Sequence, residues 1–494
     1  MSFDYALLVL NLLATRQVPP GSLLHIRLTD PVGSYASRAG DPVSAVLIAP
    51  LLAGGEIILP AGSLLTGQLK SVQRVGLGFV HELAALNFEF ARITTPDGET
   101  QSLSSRVQEV DNGRELVTPQ GSIRGWRTTG SLSYRAGGYI RTALQWEMHA
   151  AIAVWAIKTL LLQVPEPELY YPAGVELTLV LTDPLATHPT AGAPVRTSRL
   201  PEPERIKMAA VIDQMPARTL SATSKRPSDL INVMFIGSRD DLTAAFEAAG
   251  WVQPTAANLR SNIRRILAVA DGRGDSTAPM SDLLVEDTKP EMSWQKSFND
   301  VSKRHHIRIW KQPATWNGRE TWIGAATRDI DFAFMRPGKA MTHKIAEYVD
   351  DERDKVVNDL VFTACGELLD ESERPGVPSV TRNATGDPMR TDGRIAVIQV
   401  NACDAPASSL QTASASLPHH GSKMQRFARR EILSLRSDVL RENLYWRSFE
   451  SLRWLITAYR RRGGRGDEMD ARSPPADELG QSNNRASFVK DMFR

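Results

Sequence analysis

Short runs in which every second position is apolar dominate the N-terminal part of the chain. Leu24, Ile26 and Leu28 alternate with polar neighbours after Pro19-Pro20-Gly21, and the stretch recurs as Glu176-Leu177-Thr178-Leu179-Val180-Leu181 after Pro172-Ala173-Gly174. A partial third copy starts at Leu59-Pro60-Ala61-Gly62. Pro-x-Gly predicts a turn, since proline presets one corner and glycine accepts positive φ at the next; the period of two predicts a half-buried strand behind it. Val43–Ile48 and Leu83–Ile93 read as further strands, the latter closed by Thr95-Pro96-Asp97-Gly98. Short strands at this spacing predict an all-β small barrel or sandwich over residues 18–187. A helical insertion at 139–164 interrupts it, with an apolar run from Leu144 to Val164 broken by Glu147, His149 and Lys158. Mid-span charges disfavour a transmembrane helix, leaving a helix packed on the barrel or one lying on a membrane.

Residues 188–226 read as a linker, with a short helix around Ile206–Asp213. An α+β pattern then runs over 227–404. Its elements are a buried run Leu230–Ser238, a helix Asp240–Ala249 stopped by Gly250, a basic helix Asn258–Ala270 and a strand at Leu283–Val285. A long hairpin follows, then a strand Thr342–Val349, a helix opened by Asp350 or Asp351 with Val356, Val357, Leu360 and Val361 on one face, and a last strand Ile395–Val400. Residues 405–422 read as a flexible linker, 423–462 as a basic amphipathic helix and 463–494 as a disordered tail.

The hairpin holds the densest chemistry. On an extended strand Arg304, His306, Arg308 and Trp310 share one face, and His305, Ile307 and Ile309 the other. Asn317-Gly318 predicts a two-residue type I′ turn. That turn would set Trp316 opposite Arg319, His306 opposite Asp329 and Arg304 opposite Asp331.

Composition narrows the classes. A chain of 494 residues exceeds a single core. A net charge of +2 implies no global attraction to nucleic acid, which is not the expected partner. Two cysteines, Cys365 and Cys403, exclude a disulfide scaffold and a four-thiolate metal site; in an oxidising compartment they could close one bridge worth roughly 3–4 kcal/mol. The apolar segment at residues 1–17 has the length of a signal-peptide core without a basic start, and reads as a buried first element or the remnant of an export signal.

His306, Arg308, Asp329 and His343 are the residue types a hydrolase would use, but no His-Glu-x-x-His, Gly-x-Ser-x-Gly or P-loop accompanies them. No metal or other cofactor is expected. Arg304 and Arg308 are candidates for clamping a phosphate or carboxylate. The plain reading of the same residues is cross-strand pairing on a wet sheet face, worth roughly 0.2–1 kcal/mol per pair. His305 reads as a hydrogen-bonded core histidine, His343 as tied to Asp350 or Asp351, and Asp350, Asp351 and Asp354 as capping and supporting charges.

Two resemblances extend this. Leu59 to Gly67, Pro96 to Gly98 and Gly174 to Leu181 follow the order of the TrbI-like barrel of conjugation and type IV secretion channels. From about Gln214 to Asp404 the chain resembles the LssY C-terminal domain family. That likeness is carried by Pro227-Ser228-Asp229-Leu230, Phe235-Ile236-Gly237-Ser238, Ala248-Ala249-Gly250-Trp251, Ala278-Pro279-Met280-Ser281, Lys303 to Trp310, and Thr342 to Asp354. In that family the domain often follows DedA-like and lipid-phosphate-phosphatase-like membrane domains, which implies work at the cell envelope, periplasmic or membrane-peripheral, but names no reaction.

The expectation is therefore a bacterial envelope-associated binding protein rather than an enzyme, its partner another envelope protein or an anionic lipid surface, with homo-oligomerisation left open. The second option fits Lys423–Arg465, where twelve Lys/Arg stand against four Asp/Glu among bulky apolar residues. The alternatives are an envelope hydrolase acting on phosphorylated lipid or sugar, and a secretion-channel-like barrel subunit.

Overall fold

The computed structural model describes residues 16–53, 56–76, 83–126, 149–150, 153–154, 157, 167–187, 198–254, 280–300, 302–334, 341–403, 424–425, 427–429, 431–433, 452 and 455–456. The N-terminal apolar segment, most of the insertion, the expected basic helix Asn258–Ala270, the 405–422 linker and the tail lie outside the described residues.

The first unit is built on a nine-stranded sheet, flanked by two-stranded pairs that include the hairpin of Leu51–Ala53 and Glu56–Leu59. Its strands are β1 (Leu23–Leu28), β2 (Pro42–Leu47), β3 (Leu64–Gln73), β4 (Ala85–Thr94), β5 (Thr100–Ser102), β6 (Ser105–Val110), β7 (Leu116–Val117), β8 (Ser122–Arg124) and β9 (Glu176–Leu181). They run in the order β6-β9-β1-β2-β3-β4-β8-β7, with β5 beside β4. The outermost strands, β6 and β7, are joined by the short Asp111–Glu115 loop, so the sheet curls until its two ends meet and the barrel nearly closes. Leu24, Ile26, Leu28, Phe88, Phe90, Val107, Leu177 and Leu179 fill it. The three Pro-x-Gly turns repeat one construction. Gly21, Gly62 and Gly174 have φ of 90°, 89° and 96°, and each donates its N–H to a neighbouring strand, at Leu181, Leu47 and Leu28.

The second unit is built on a seven-stranded sheet. It comprises β10 (Val233–Ile236), β11 (Met292–Lys296), β12 (Arg304–Trp316), β13 (Arg319–Phe334), β14 (Met341–Ile345), β15 (Gly366–Glu373) and β16 (Arg394–Val400), in the order β11-β12-β13-β10-β16-β15 with β14 on β13. Only the β10–β16 pair in it is parallel among the described residues. Helices α2 (Arg239–Ala248) and α3 (Val349–Phe362) cover one face over Phe246, Trp251 and Trp294. Helix α1 (Glu202–Asp213) covers the other, with Met208 and Ile212 against Met234, Trp310 and Val397. Ser238 caps α2 through a reciprocal bond pair with Asp241.

Several expectations change. Part of the stretch read as a linker is folded, since α1 starts after Pro201 and buries Met208 and Ile212. The run Leu230–Ser238 is two strands. Pro227–Leu230 belongs to a small sheet with Arg218–Ser221 and Leu283–Leu284, and β10 starts after a corner at Asn232. The Asn232 amide brackets Ala326 there, donating to its carbonyl at 3.0 Å and accepting from its N–H at 2.9 Å. Neither Asp350 nor Asp351 caps α3: the N-cap residue is Tyr348, which gives no side-chain cap bond. Asp350 instead accepts from Thr391 Oγ1 and from the Asp392 N–H, tying the helix start to the loop before β16. Val361 faces outward, 43% exposed, while Val356, Val357 and Leu360 are buried.

Of the insertion, Val154 and Ile157 are helical and exposed. Of the C-terminal basic segment, Leu433 is buried in the barrel core and Arg429 donates to Glu168 at 2.6 Å.

Candidate functional site

The turn at Asn317-Gly318 has φ of 47° and 77°, and Trp316 pairs with Arg319 as the hairpin pattern requires. The register then slips. Thr315 pairs with Glu320, but Lys311 pairs with Trp322, a bulge centred on Pro313, whose nitrogen has no hydrogen for the ladder. Arg304 therefore stands opposite Asp329 rather than Asp331, and His306 opposite Thr327. A slip of two keeps every side chain on its own face. His306 still reaches Asp329 diagonally, Nε2 to Oδ1 at 2.9 Å, and Arg304 Nε donates to the other oxygen at 2.8 Å.

This face is not wet. Arg304, His306 and Arg308 are each 4% exposed. Arg308 spends its donors inside the fold, on the carbonyl and hydroxyl of Ser281 at 3.0 Å each, with Asp229 at 3.6 Å. Burial lowers its pKa against the pull of Asp229 and Asp329. Arg304 also donates to Gln295 at 3.0 Å. The cluster thus reads as a satisfied buried network rather than a clamp open to a ligand. The backbone of His343 pairs with Phe332, and its side chain lies outside the described residues.

Opposite chemistry collects on the other face of the same hairpin, where the barrel meets the second unit. His305 stands between two carboxylates: Nε2 reaches Asp111 at 2.9 Å and Nδ1 reaches Glu352 of α3 at 2.6 Å. With an acceptor on each nitrogen, the ring donates from both, as an imidazolium. Burial opposes that charge, and Asp111 and Glu352 outweigh it, holding His305 up at about 9. Burial likewise opposes the Asp111 carboxylate, yet His305 and Arg328 keep it well below the usual range. Arg328, beside His305 in register, also donates to Glu109 at 2.6 Å.

A second cluster lies alongside. Glu176 of β9 accepts from Arg27 at 2.8 Å and Lys296 at 2.7 Å, and pairs with Lys355 at 3.0 Å. Asp359 receives Lys355 at 2.5 Å, Lys296 at 3.1 Å and the Trp251 indole at 2.9 Å. Against the cost of burial, those cations hold both carboxylates below the ordinary range. The first cluster carries one excess negative charge and the second one excess positive charge, so side by side they balance.

Above these clusters a cleft of about 940 Å³ opens between the units. Leu23, Ile48, Leu52, Ile57 and Pro60 of the barrel form an apolar wall, and α3 presents Asp351, Asp354, Lys355 and Asn358 opposite. His25 and His305 also line it. Burial and Lys355 disfavour the charged form of His25, which meets Thr178 Oγ1 at 3.2 Å.

The Arg304–Trp310 face, α3 and the Asn232 corner all fall inside one segment that comparison with known families picks out. Residues 212–395 match the LssY C-terminus family. The LssY-like segment thus contributes β10–β15, α2, α3 and the first residues of β16, while the barrel that completes the cleft lies outside it. Among solved structures, ComB10 of the Com type IV secretion system of Helicobacter pylori aligns over 36% of this chain and 93% of its own, at 13% identity and a TM-score of 0.20; so low a score carries no argument. No curated protein matches the chain.

The residues that sequence reading passed over are Asp111, Glu176, Arg328, Glu352, Lys355 and Asp359. Their partners lie up to 219 positions away in sequence, as for Arg328 and Glu109, although Lys355 and Asp359 also pair locally, four residues apart on α3. His305 had a local signal of its own, a titratable residue on an otherwise apolar strand face.

Proposed function

We propose that this chain is a ligand-binding protein of the cell envelope whose ligand occupies the cleft between the barrel and the LssY-like unit. The observation that carries this reading is the division of the cleft into an apolar wall and a charged wall from two different units, within the size range of small-molecule sites, roughly 300–1,000 Å³. The charged groups at its base are paired with one another, an arrangement suited to a preformed binding surface rather than to proton transfer. The envelope assignment draws on the LssY C-terminus match and on the disulfide between Cys365 and Cys403, a bond that persists in oxidising compartments. Among the described residues no helix is long and apolar enough to cross a membrane.

A fluorescent apolar probe such as N-phenyl-1-naphthylamine should bind the full chain at one saturable site. Asn358→Trp, which fills the cleft from the surface of α3, should abolish that binding without changing the far-UV spectrum. Equal binding by that variant would reject the cleft as the site. Cell fractionation tests the location, and recovery with cytoplasmic markers would reject the envelope assignment.

A further inference from the structure

The chemistry of the charged wall narrows the ligand. Around the cleft, carboxylates outnumber guanidinium and ammonium groups. At the start of α3, Asp351 lines the cleft and makes no hydrogen bond or ion pair among the described residues. Glu352, which is 2% exposed and also lines the cleft, gives Oε2 to His305 but leaves Oε1 buried without a hydrogen-bond partner. A buried carboxylate oxygen with no donor leaves its lost hydration unrepaid until one reaches it, so the position favours a ligand that brings N–H groups or positive charge. Burial pushes the Asp351 carboxyl up, and the like charges of Asp354 and Asp350 add to the push, which an incoming cation would relieve. On the barrel side of the same cleft, Leu23, Leu52 and Ile57 offer an apolar surface with no charge of their own.

Resting on the cleft reading above, the structure assigns the site to a cationic amphiphile, its ammonium group on Asp351 and Glu352 and its hydrocarbon on the barrel wall. This differs from the anionic headgroup that the arginines of β12 suggest in sequence, because those arginines are buried on the opposite face of the sheet.

Calorimetric titration of the full chain with decylammonium, decyl sulfate and decyl maltoside, each below its micelle concentration, tests the assignment. The ammonium compound should bind tightest. Asp351→Asn should weaken it about fivefold, as expected of a single part-exposed charge pair, and leave the maltoside unchanged. Asp351→Lys should weaken it further and improve the sulfate. Glu352→Gln should act in the same direction as Asp351→Asn; should that variant fail to fold, the two Asp351 variants decide. Leu23→Asp, at an exposed wall position, should weaken all three compounds. If all three bind equally and only Leu23→Asp matters, the cleft stands and the charge assignment falls. If none binds, or Leu23→Asp has no effect, the cleft reading falls with it.

Discussion

Replacing His305 by glutamine isolates the charge that joins the barrel to the second unit. Folded, its pKa is held at about 9 by Asp111 and Glu352; unfolded, it returns to the ordinary 6.5. A group whose folded pKa is raised contributes stability that is complete below the unfolded value and is lost as pH climbs through the folded one. The difference corresponds to about 3 kcal/mol, present below about pH 6.5 and gone above about pH 9. Asp111 stays ionised throughout that window, because its own pKa is depressed. The wild-type minus variant difference therefore cancels other titrating groups and leaves the His305 contribution alone. Urea unfolding followed by tryptophan fluorescence at intervals from pH 6 to 9.5 should show His305→Gln less stable by about 3 kcal/mol at pH 6, the gap closing towards pH 9.5. A gap that is flat with pH, or that widens with alkalinity, would refute the imidazolium and the pairing it rests on.

Other perturbations test neighbouring parts of the scheme. Glu176→Gln leaves Arg27, Lys296 and Lys355 facing one carboxylate and should cost about 3–4 kcal/mol in urea unfolding; Lys355→Met in the same chain should recover part of that, and strict additivity would argue against coupling. Asp329→Asn should cost about 2–3 kcal/mol by uncoupling Arg304 and His306, whereas Asp331→Asn, at an exposed position, should stay within about 0.5 kcal/mol. The reverse order would restore the register without a bulge. Cys365→Ser with Cys403→Ser should lose about 3–4 kcal/mol, and a thiol assay on denatured, non-reduced wild type should find no free thiol.

Where chemistry was local, the sequence was enough. The three Pro-x-Gly turns, the strands behind them and the Asn317-Gly318 hairpin follow from φ preferences and alternation within a dozen residues, and all are present. The mixed order of the second unit was legible for the same reason. Boundaries were less so: Asn232 splits a continuous apolar run because its amide has a partner at Ala326, 94 residues on. Pro313 moved the register by two, an effect that needed the partner strand to become visible.

The candidate site depended on tertiary structure almost entirely. Alternation could say that Arg304, His306 and Arg308 share a face, but whether that face meets water or α1 depends on a helix about a hundred residues earlier. It meets the helix side, so the residues richest in apparent chemistry are buried and satisfied. His305 looked like the quieter neighbour, yet folding set it between Asp111 and Glu352, where two carboxylates from separate units keep it charged. Side-chain type and spacing determine which groups this chain can offer; which charges end up facing one another is decided only when the barrel closes against the second sheet and shuts out the water that would have screened them.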